Sequence, residues 1–171
     1  MLSSVSLSGF PNRSALNFLN GLSSLKQLKL LLGSRDSVAE LCNENLERLS
    51  ICWVRGLNRL GPIGRFPKLR EFSLEDQLRL DGVDLTNAAI ERLRLVNCKT
   101  LSKIVGLKTL SNLREVLVYK TALDLEALRD GRWPSSLRSL SLYSKSNKKN
   151  DVMEAELTRK GYVAGQPWLW T

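Results

Sequence analysis

Apolar residues recur along this chain with a spacing that changes in a regular way. Between Ile90 and Val118, the alternation at Leu93 and Leu95 predicts a short strand with one buried face. Spacings of about three residues follow and favour a turn or helix that brings the chain back to its start, at Leu101, Ile104, Leu107 and Leu110. The stretch therefore reads as one repeating unit.

The same pattern begins seven times, and we number the units repeats 1 to 7. Their first apolar residues, the repeat origins, are Leu2, Leu25, Leu46, Leu69, Ile90, Leu113 and Leu137. The intervals alternate between 23 and 21 residues before a last one of 24. A period in the low twenties is typical of a solenoid in which every unit adds one strand to a sheet. In the three 23-residue units, the later apolar spacing predicts a helical or 3-10 turn on the outer side.

The L-x-x-L-x-L pattern, with Asn97-Cys98 and then TLSKIVGLKTLSNL after it, resembles the leucine-rich repeat superfamily, and most closely its short cytosolic bacterial members. The resemblance covers Leu2 to Tyr143. It implies an α/β solenoid curved like a horseshoe, with a parallel β-sheet on the concave face and short helices, 3-10 turns and loops on the convex face. It also implies that the concave face binds another macromolecule. The asparagine usual in the turn after the strand is mostly missing, since that position holds Phe10, Gly33, Val54, Gln77, Cys98, Thr121 and Lys145.

The ends of the chain follow other patterns. We expect the solenoid to occupy residues 1–143 and a C-terminal cap to occupy residues 144–171. Asp151 and Glu154 have the spacing of a capping box, and Gly161 suits a helix end, so a helix is expected at 151–160. The tail carries Trp168 and Trp170, which either pack back on the last repeat or stay free as an anchor.

No polar helix precedes repeat 1, although solenoids usually need a cap at both ends. Three arrangements stay open for this end: dimerisation, an atypical loop from Phe10 to Arg13, or further sequence. The chain is thus expected to be a monomer, or a dimer through its uncapped N-terminal end.

Strand positions two, four and six after each origin point away from the core. Arginine, tyrosine and tryptophan dominate binding hot spots, and here they gather in the middle and C-terminal repeats. The candidate partner-binding residues are Lys29, Arg48, Trp53, Glu71, Glu75, Arg92, Arg94, Tyr119 and Tyr143. The competing interpretation is that the Arg and Glu residues form cross-strand ion pairs that serve solubility.

The net charge of +9 is unevenly spread. Repeats 3 and 5 each hold five basic residues and one acidic residue, whereas repeat 4 holds two basic and five acidic ones. Much of the excess falls on convex segments, including Lys99, Lys103 and Lys108, which leaves binding to RNA or an anionic surface as an alternative. Repeat 4 would repel a phosphate backbone that follows the solenoid, so we expect no nucleic-acid partner.

Catalytic chemistry has little support. The chain has no histidine and no glycine-rich phosphate-binding motif, so we predict neither an enzyme nor a bound cofactor or metal. The acidic residues Glu71, Glu75, Asp76, Asp81 and Asp84 match no calcium-binding loop.

The three cysteines are widely spaced and do not form a disulfide-bonded cap. Cys98 is expected to be a buried turn residue. Cys52 falls at an outward strand position, where a reactive thiol is one alternative. The cysteine pattern, the lack of a signal peptide and the lack of an apolar run of about 18 residues together predict a cytoplasmic protein without a membrane span.

From these observations we expect a non-enzymatic protein-protein interaction module that binds a protein partner of unknown identity. An acidic or mixed-charge surface on the partner would face the arginines, with Tyr119 and Tyr143 as apolar anchors. A third reading is that the chain is the repeat segment of a larger receptor or effector.

Overall fold

A computed structural model describes residues 2–11 and 13–164. Within these ranges nine strands occur in chain order: β1 (Ser4–Ser8), β2 (Gln27–Leu31), β3 (Arg48–Cys52), β4 (Glu71–Glu75), β5 (Gly82–Asp84), β6 (Arg92–Val96), β7 (Lys103–Val105), β8 (Glu115–Tyr119) and β9 (Ser139–Tyr143). Seven of them form one sheet in the order β1-β2-β3-β4-β6-β8-β9, and β5 pairs with β7 in a second sheet. All these pairings are parallel. The expected α/β class with a parallel sheet is therefore confirmed.

The strand register matches the sequence repeats. Each strand of the large sheet pairs so that residues at the same distance from their repeat origins are neighbours. The row three residues after the origins contains Val5, Leu28, Leu49, Phe72, Leu93, Val116 and Leu140. From Leu28 onward these side chains are at most 3% exposed. Burial of this row and of the row two residues later supplies much of the apolar area that holds the sheet together.

The connections differ between long and short repeats, as the spacing predicts. Short 3-10 helices occur at Asn17–Gly21, Ile63–Arg65 and Leu107–Thr109, one in each 23-residue repeat. Repeat 6 instead contains α1 (Leu125–Arg129), whose N-cap Asp124 accepts a hydrogen bond from the Ala127 amide at 2.9 Å. Apolar residues from these connections, such as Leu19 and Ile63, are fully buried against the sheet.

Two glycines allow neighbouring repeats to approach closely around Thr86. A Cβ atom on Gly64 would lie 2.4 Å from the Thr86 carbonyl oxygen, and one on Gly106 would lie 2.4 Å from the Thr86 nitrogen. Gly106 also has a φ of +85°, in the left-handed region that side chains disfavour. Both positions therefore exclude any side chain.

The turn after six of the strands repeats one backbone conformation. The residue seven positions after the origin has a positive φ in each case: Gly9, Leu32, Trp53, Asp76, Asn97 and Lys120. Its N–H donates to the last residue of the next strand, for example from Leu32 to the Cys52 carbonyl at 3.1 Å and from Trp53 to the Glu75 carbonyl at 3.0 Å. The left-handed conformation thus extends the hydrogen-bond ladder of the sheet by one residue.

The following position, where the resemblance leads us to expect asparagine, is filled in several ways. The Phe10 ring occupies the space in front of Gly33, where a Cβ would lie 2.5 Å from the ring. Gln77 is completely buried, and its side-chain amide donates to the Glu75 carbonyl at 2.7 Å. Cys98 is also completely buried, as expected, and its sulfur donates to the Val96 carbonyl at 3.4 Å.

The C-terminal helix, α2, spans Asn147–Arg159, so it begins earlier than the expected start at Asp151, which lies inside it. The start is set by Asn150, whose side-chain oxygen accepts hydrogen bonds from the Ser144 amide at 2.7 Å and the Ser144 hydroxyl at 2.9 Å. This side chain anchors the first turn to the end of β9, a contact that the capping-box pattern does not reveal.

The end of α2 follows the prediction for Gly161. That residue has a φ of +91°, and the amides of Gly161 and Tyr162 bond back to the carbonyls of Thr158 and Leu157. Val163 then pairs with Ser139 of β9. Ion pairs join α2 to the end of α1, between Arg129 and Glu156 at 2.7 Å and between Lys160 and Asp130 at 2.8 Å. Trp168 and Trp170 lie outside the described residues.

Candidate functional site

The candidate residues lie along the outward face and the edge of the large sheet. Because the register is uniform, the residues two, four and six after each origin form three parallel rows across it. We call them the first, middle and last rows. Arg48, Glu71 and Arg92 belong to the first row, Lys29 and Arg94 to the middle row, and Glu75, Tyr119 and Tyr143 to the last row. Trp53 follows β3 at the turn.

The first row is a continuous chain of ion pairs. Glu71 contacts Arg48 at 3.2 Å on one side and Arg92 at 3.1 Å on the other. Arg92 also contacts Glu115 of β8 at 3.4 Å. Opposite charges therefore alternate across β3, β4, β6 and β8.

A second charged row lies one residue earlier in each repeat, and its signs are inverted. Lys26 contacts Glu47 at 3.0 Å, Arg70 contacts Glu91 at 3.1 Å, and Arg114 lies 4.0 Å from Glu91. Each repeat from 3 to 6 thus carries one basic and one acidic residue side by side, in an order that reverses from one repeat to the next. The two rows form a checkerboard in which almost every charge has an opposite neighbour.

Three serines of the middle row are covered. Ser50, Ser73 and Ser141 are at most 4% exposed. Arg94 lies over this row and donates to the Glu75 carboxylate at 2.7 Å and to the Ser73 hydroxyl at 3.4 Å. Lys29, in contrast, is half-buried near the N-terminal end of the sheet.

The last row carries the aromatic candidates at its C-terminal end. Tyr119 and Tyr143 are neighbours on β8 and β9, and both are partly exposed. The Lys120 ammonium lies over the Tyr119 ring at 4.5 Å, and the Tyr143 hydroxyl lies 3.4 Å from the Glu154 carboxylate of α2. Val96, next to Tyr119, is only 8% exposed. These two tyrosines form an amphipathic end to the last row.

The thiols of Cys52 and Cys98 are not activated in this structure. Burial raises the pKa of the Cys52 thiol, and the carboxylates of Glu75 and Asp76 raise it further. Burial raises the pKa of Cys98 to about 11. Cys52 is half-buried rather than fully exposed as its outward strand position predicts. Both thiols therefore stay protonated at neutral pH.

The basic residues away from the sheet divide into two groups. The Arg65 guanidinium donates to the carbonyls of Leu41, Pro62, Val38 and Leu60, which holds the loops of repeats 2 and 3 together. Arg59 pairs with Asp36 at 3.4 Å, and Lys68 donates to the Asn45 side chain at 2.8 Å. The side chains of Lys99, Lys103 and Lys108 are exposed and form no ion pair within the described part of the chain.

The acidic residues of repeat 4 are not brought together. Glu71 and Glu75 pair with arginines. Hydrogen bonds from the Thr86 side chain and from the Thr86 amide, the latter at 2.9 Å, lower the pKa of Asp84. Across residues 2–11 and 13–164, no group of three or more acidic or cysteine side chains could hold a metal ion.

Two exposed leucines were missed by the sequence reasoning. Leu32 is 57% exposed beside Trp53, which is 47% exposed, and Leu78 is 55% exposed in the following repeat. Their signal is visible in the sequence: both are apolar residues at distances from the repeat origin that do not point into the core.

Comparisons with models of protein families, with curated proteins and with solved structures find no match for this chain. Within the described ranges, none of the helices combines the length and the apolar character that crossing a bilayer requires.

Proposed function

We propose that the chain is a leucine-rich repeat solenoid that acts as a non-enzymatic protein-binding module, with the outward face of its large sheet as the concave binding surface. The observation that carries this proposal is the uniform register of seven strands, which sets side chains of equal offset in fixed rows. Such a face is large, ordered before binding and lined by arginine and tyrosine, so little conformational entropy is lost on association.

The contacts refine which residues of this face would provide affinity. Arg48, Glu71 and Arg92 already form ion pairs with one another. Burying them against a partner would therefore yield little net binding energy. They would act mainly in specificity, because a partner has to present a complementary order of charges. Tyr119 and Tyr143 would supply apolar contact area, since an aromatic ring with a terminal hydroxyl suits a partly hydrated interface.

The first experiment is affinity capture from the native cell lysate with wild type and three variants. Tyr119→Ser removes the aromatic anchor, and Glu71→Gln with Arg92→Gln neutralises the centre of the first row. Asp36→Asn with Arg59→Gln is the control, because it removes an ion pair that lies away from the sheet. Each removed pair should cost about 0.2 to 1 kcal/mol in unfolding free energy, so all variants should stay folded.

The proposal predicts a protein that wild type and the control capture and that the first two variants lose. Nuclease treatment of the lysate should leave this protein bound. Equal capture by all four proteins, or capture that vanishes with nuclease, would contradict the proposal.

A further inference from the structure

Three large apolar side chains lie exposed in consecutive repeats, and we call them the apolar ridge: Leu32, Trp53 and Leu78. Leu32 and Trp53 occupy the same position in repeats 2 and 3. Because each donates its N–H to the end of the next strand, their backbones are about one strand spacing, roughly 4.8 Å, apart. Leu78 lies two positions further along its own repeat, on the same turn side of the sheet.

The fold does not require bulky residues in this turn. Leu32 and Trp53 have φ values of +51° and +48°, which glycine and asparagine adopt more readily than leucine or tryptophan. The same turn is made by Gly9 in repeat 1 and by Asn97 in repeat 5. Two exposed apolar side chains are therefore held in a disfavoured backbone conformation where smaller residues would serve the fold.

Exposed cations surround the ridge. Arg55 follows Trp53 by two residues, Arg79 follows Leu78, and Lys99 occupies in repeat 5 the position that Leu78 has in repeat 4. Within residues 2–11 and 13–164, none of the three makes an ion pair or a side-chain hydrogen bond. This sets the ridge apart from the checkerboard, where charges are matched internally.

One carboxylate lies inside this group of cations. Asp76 has the turn position of Trp53 in the next repeat, and its side chain accepts a hydrogen bond from Asn97. A phosphate backbone or an anionic membrane laid across the ridge would meet this negative charge. A folded or extended protein segment can instead place its own charges so that they avoid Asp76 and face the cations.

We propose that the apolar ridge is a docking site for an acidic segment of a partner protein. An aromatic or leucine side chain of that segment would pack on Trp53 and Leu32, and flanking carboxylates would bind Arg55, Arg79 and Lys99. Guanidinium groups bind carboxylates with two parallel hydrogen bonds, which fixes the orientation of the segment. This inference rests on the proposed protein-binding function, and it places a contact outside the face considered above.

The test is selection of random peptides displayed on phage against the full chain, followed by binding of the selected peptide, labelled with fluorescein, to variants. We expect selected sequences in which Asp or Glu surrounds an aromatic or leucine residue. Trp53→Asn should weaken binding at least about tenfold, as loss of a central aromatic anchor does. Arg55→Glu should weaken it as strongly, and affinity should fall with added salt.

Matched controls separate contact from folding. Leu32→Asn with Leu78→Gln removes ridge side chains while Trp53 stays, and should also weaken binding. Val152→Gln removes a comparably exposed apolar side chain, 54% exposed on α2, and Arg132→Glu reverses an exposed charge outside the ridge. Both controls should bind like wild type. Equal melting temperatures would show that lost binding is not lost folding.

Other outcomes would overturn the inference in distinguishable ways. Peptides that depend on Tyr119 and Glu71 but not on Trp53 would place binding on the sheet face, so the ridge proposal would fail and the proposed function would stand. No selected peptide, or peptides without acidic residues, would also contradict the ridge proposal. Binding of phosphatidylserine vesicles or of single-stranded RNA through Trp53, without peptide binding, would contradict the ridge proposal, whereas the proposed function is decided by the lysate capture.

Discussion

Glycine is used differently in two regions of the repeats. In the turn after the strands, six of the described residues share a left-handed backbone conformation. Among these six, only Gly9 is a glycine. Around Thr86, where neighbouring repeats approach, glycine occupies both close positions, Gly64 and Gly106.

The difference lies in the kind of penalty. A side chain at a left-handed position costs about 1 to 2 kcal/mol of conformational strain, but a Cβ at the turn position of Gly9 meets no atom within 4 Å. A Cβ on Gly64 or Gly106 would instead overlap backbone atoms at 2.4 Å. The turn can therefore hold residues with large side chains, and it holds Leu32, Trp53 and Lys120. The two positions that approach Thr86 accept only glycine.

The largest effect is expected at the close approach. Gly106→Ala combines a left-handed φ with a steric overlap, so it should lower the unfolding free energy by about 2 to 4 kcal/mol. Gly21→Ala is the matched control, because a Cβ there meets no atom within 4 Å; it should be neutral or stabilise by up to about 1 kcal/mol. Urea denaturation measures both. Similar losses in the two variants would mean that crowding at Thr86 does not matter.

An intermediate effect is expected where the turn residue suits its conformation. Asn97→Leu places a bulky side chain at a φ of +53° and removes the hydrogen bond to Asp76. We expect a loss of about 1 to 2 kcal/mol in unfolding free energy. If urea denaturation detects no change, leucine is unstrained at this position, and the conformation of Leu32 ceases to be an argument for binding.

The smallest effect is expected for the reverse change in repeat 2. Leu32→Asn relieves strain but gives up the partial burial of a side chain that is 57% exposed. These terms oppose each other, so the unfolding free energy should change by less than about 1 kcal/mol. For comparison, Leu93→Ala in the core should cost about 2 to 5 kcal/mol, since Leu93 is fully buried. A loss at Leu32 close to that of Leu93 would show that the leucine serves the fold.

The core and the strands could be predicted from the sequence, because each depends on periodic spacing that a single chain displays. Leu93 and Leu95 alternate, and they lie in β6 as expected. The 3-10 helices in the long repeats follow from the same spacing. The start of α2 could not be predicted, because Asn150 anchors it through a contact with Ser144 that depends on the end of β9.

The candidate surface was harder to predict because pairing across strands decides whether a charged side chain is already in an ion pair or is free to bind a partner. Arg48 and Arg92 stand out in the sequence, but both contact Glu71, which is 21 or 23 positions away along the chain. Leu32 and Leu78 were overlooked for the opposite reason. In a chain rich in leucine their type carries no signal, and only their position relative to the repeat origin reveals that they are exposed.

The central claim is that Leu32 and Trp53 occupy left-handed turns because of what they contact in a partner. The most direct measurement is the affinity of the selected peptide for Leu32→Asn, by fluorescence anisotropy, beside the unfolding free energy of the same protein. We expect binding about tenfold weaker or more, with stability within about 1 kcal/mol of wild type. Unchanged affinity in a folded Leu32→Asn variant would contradict it.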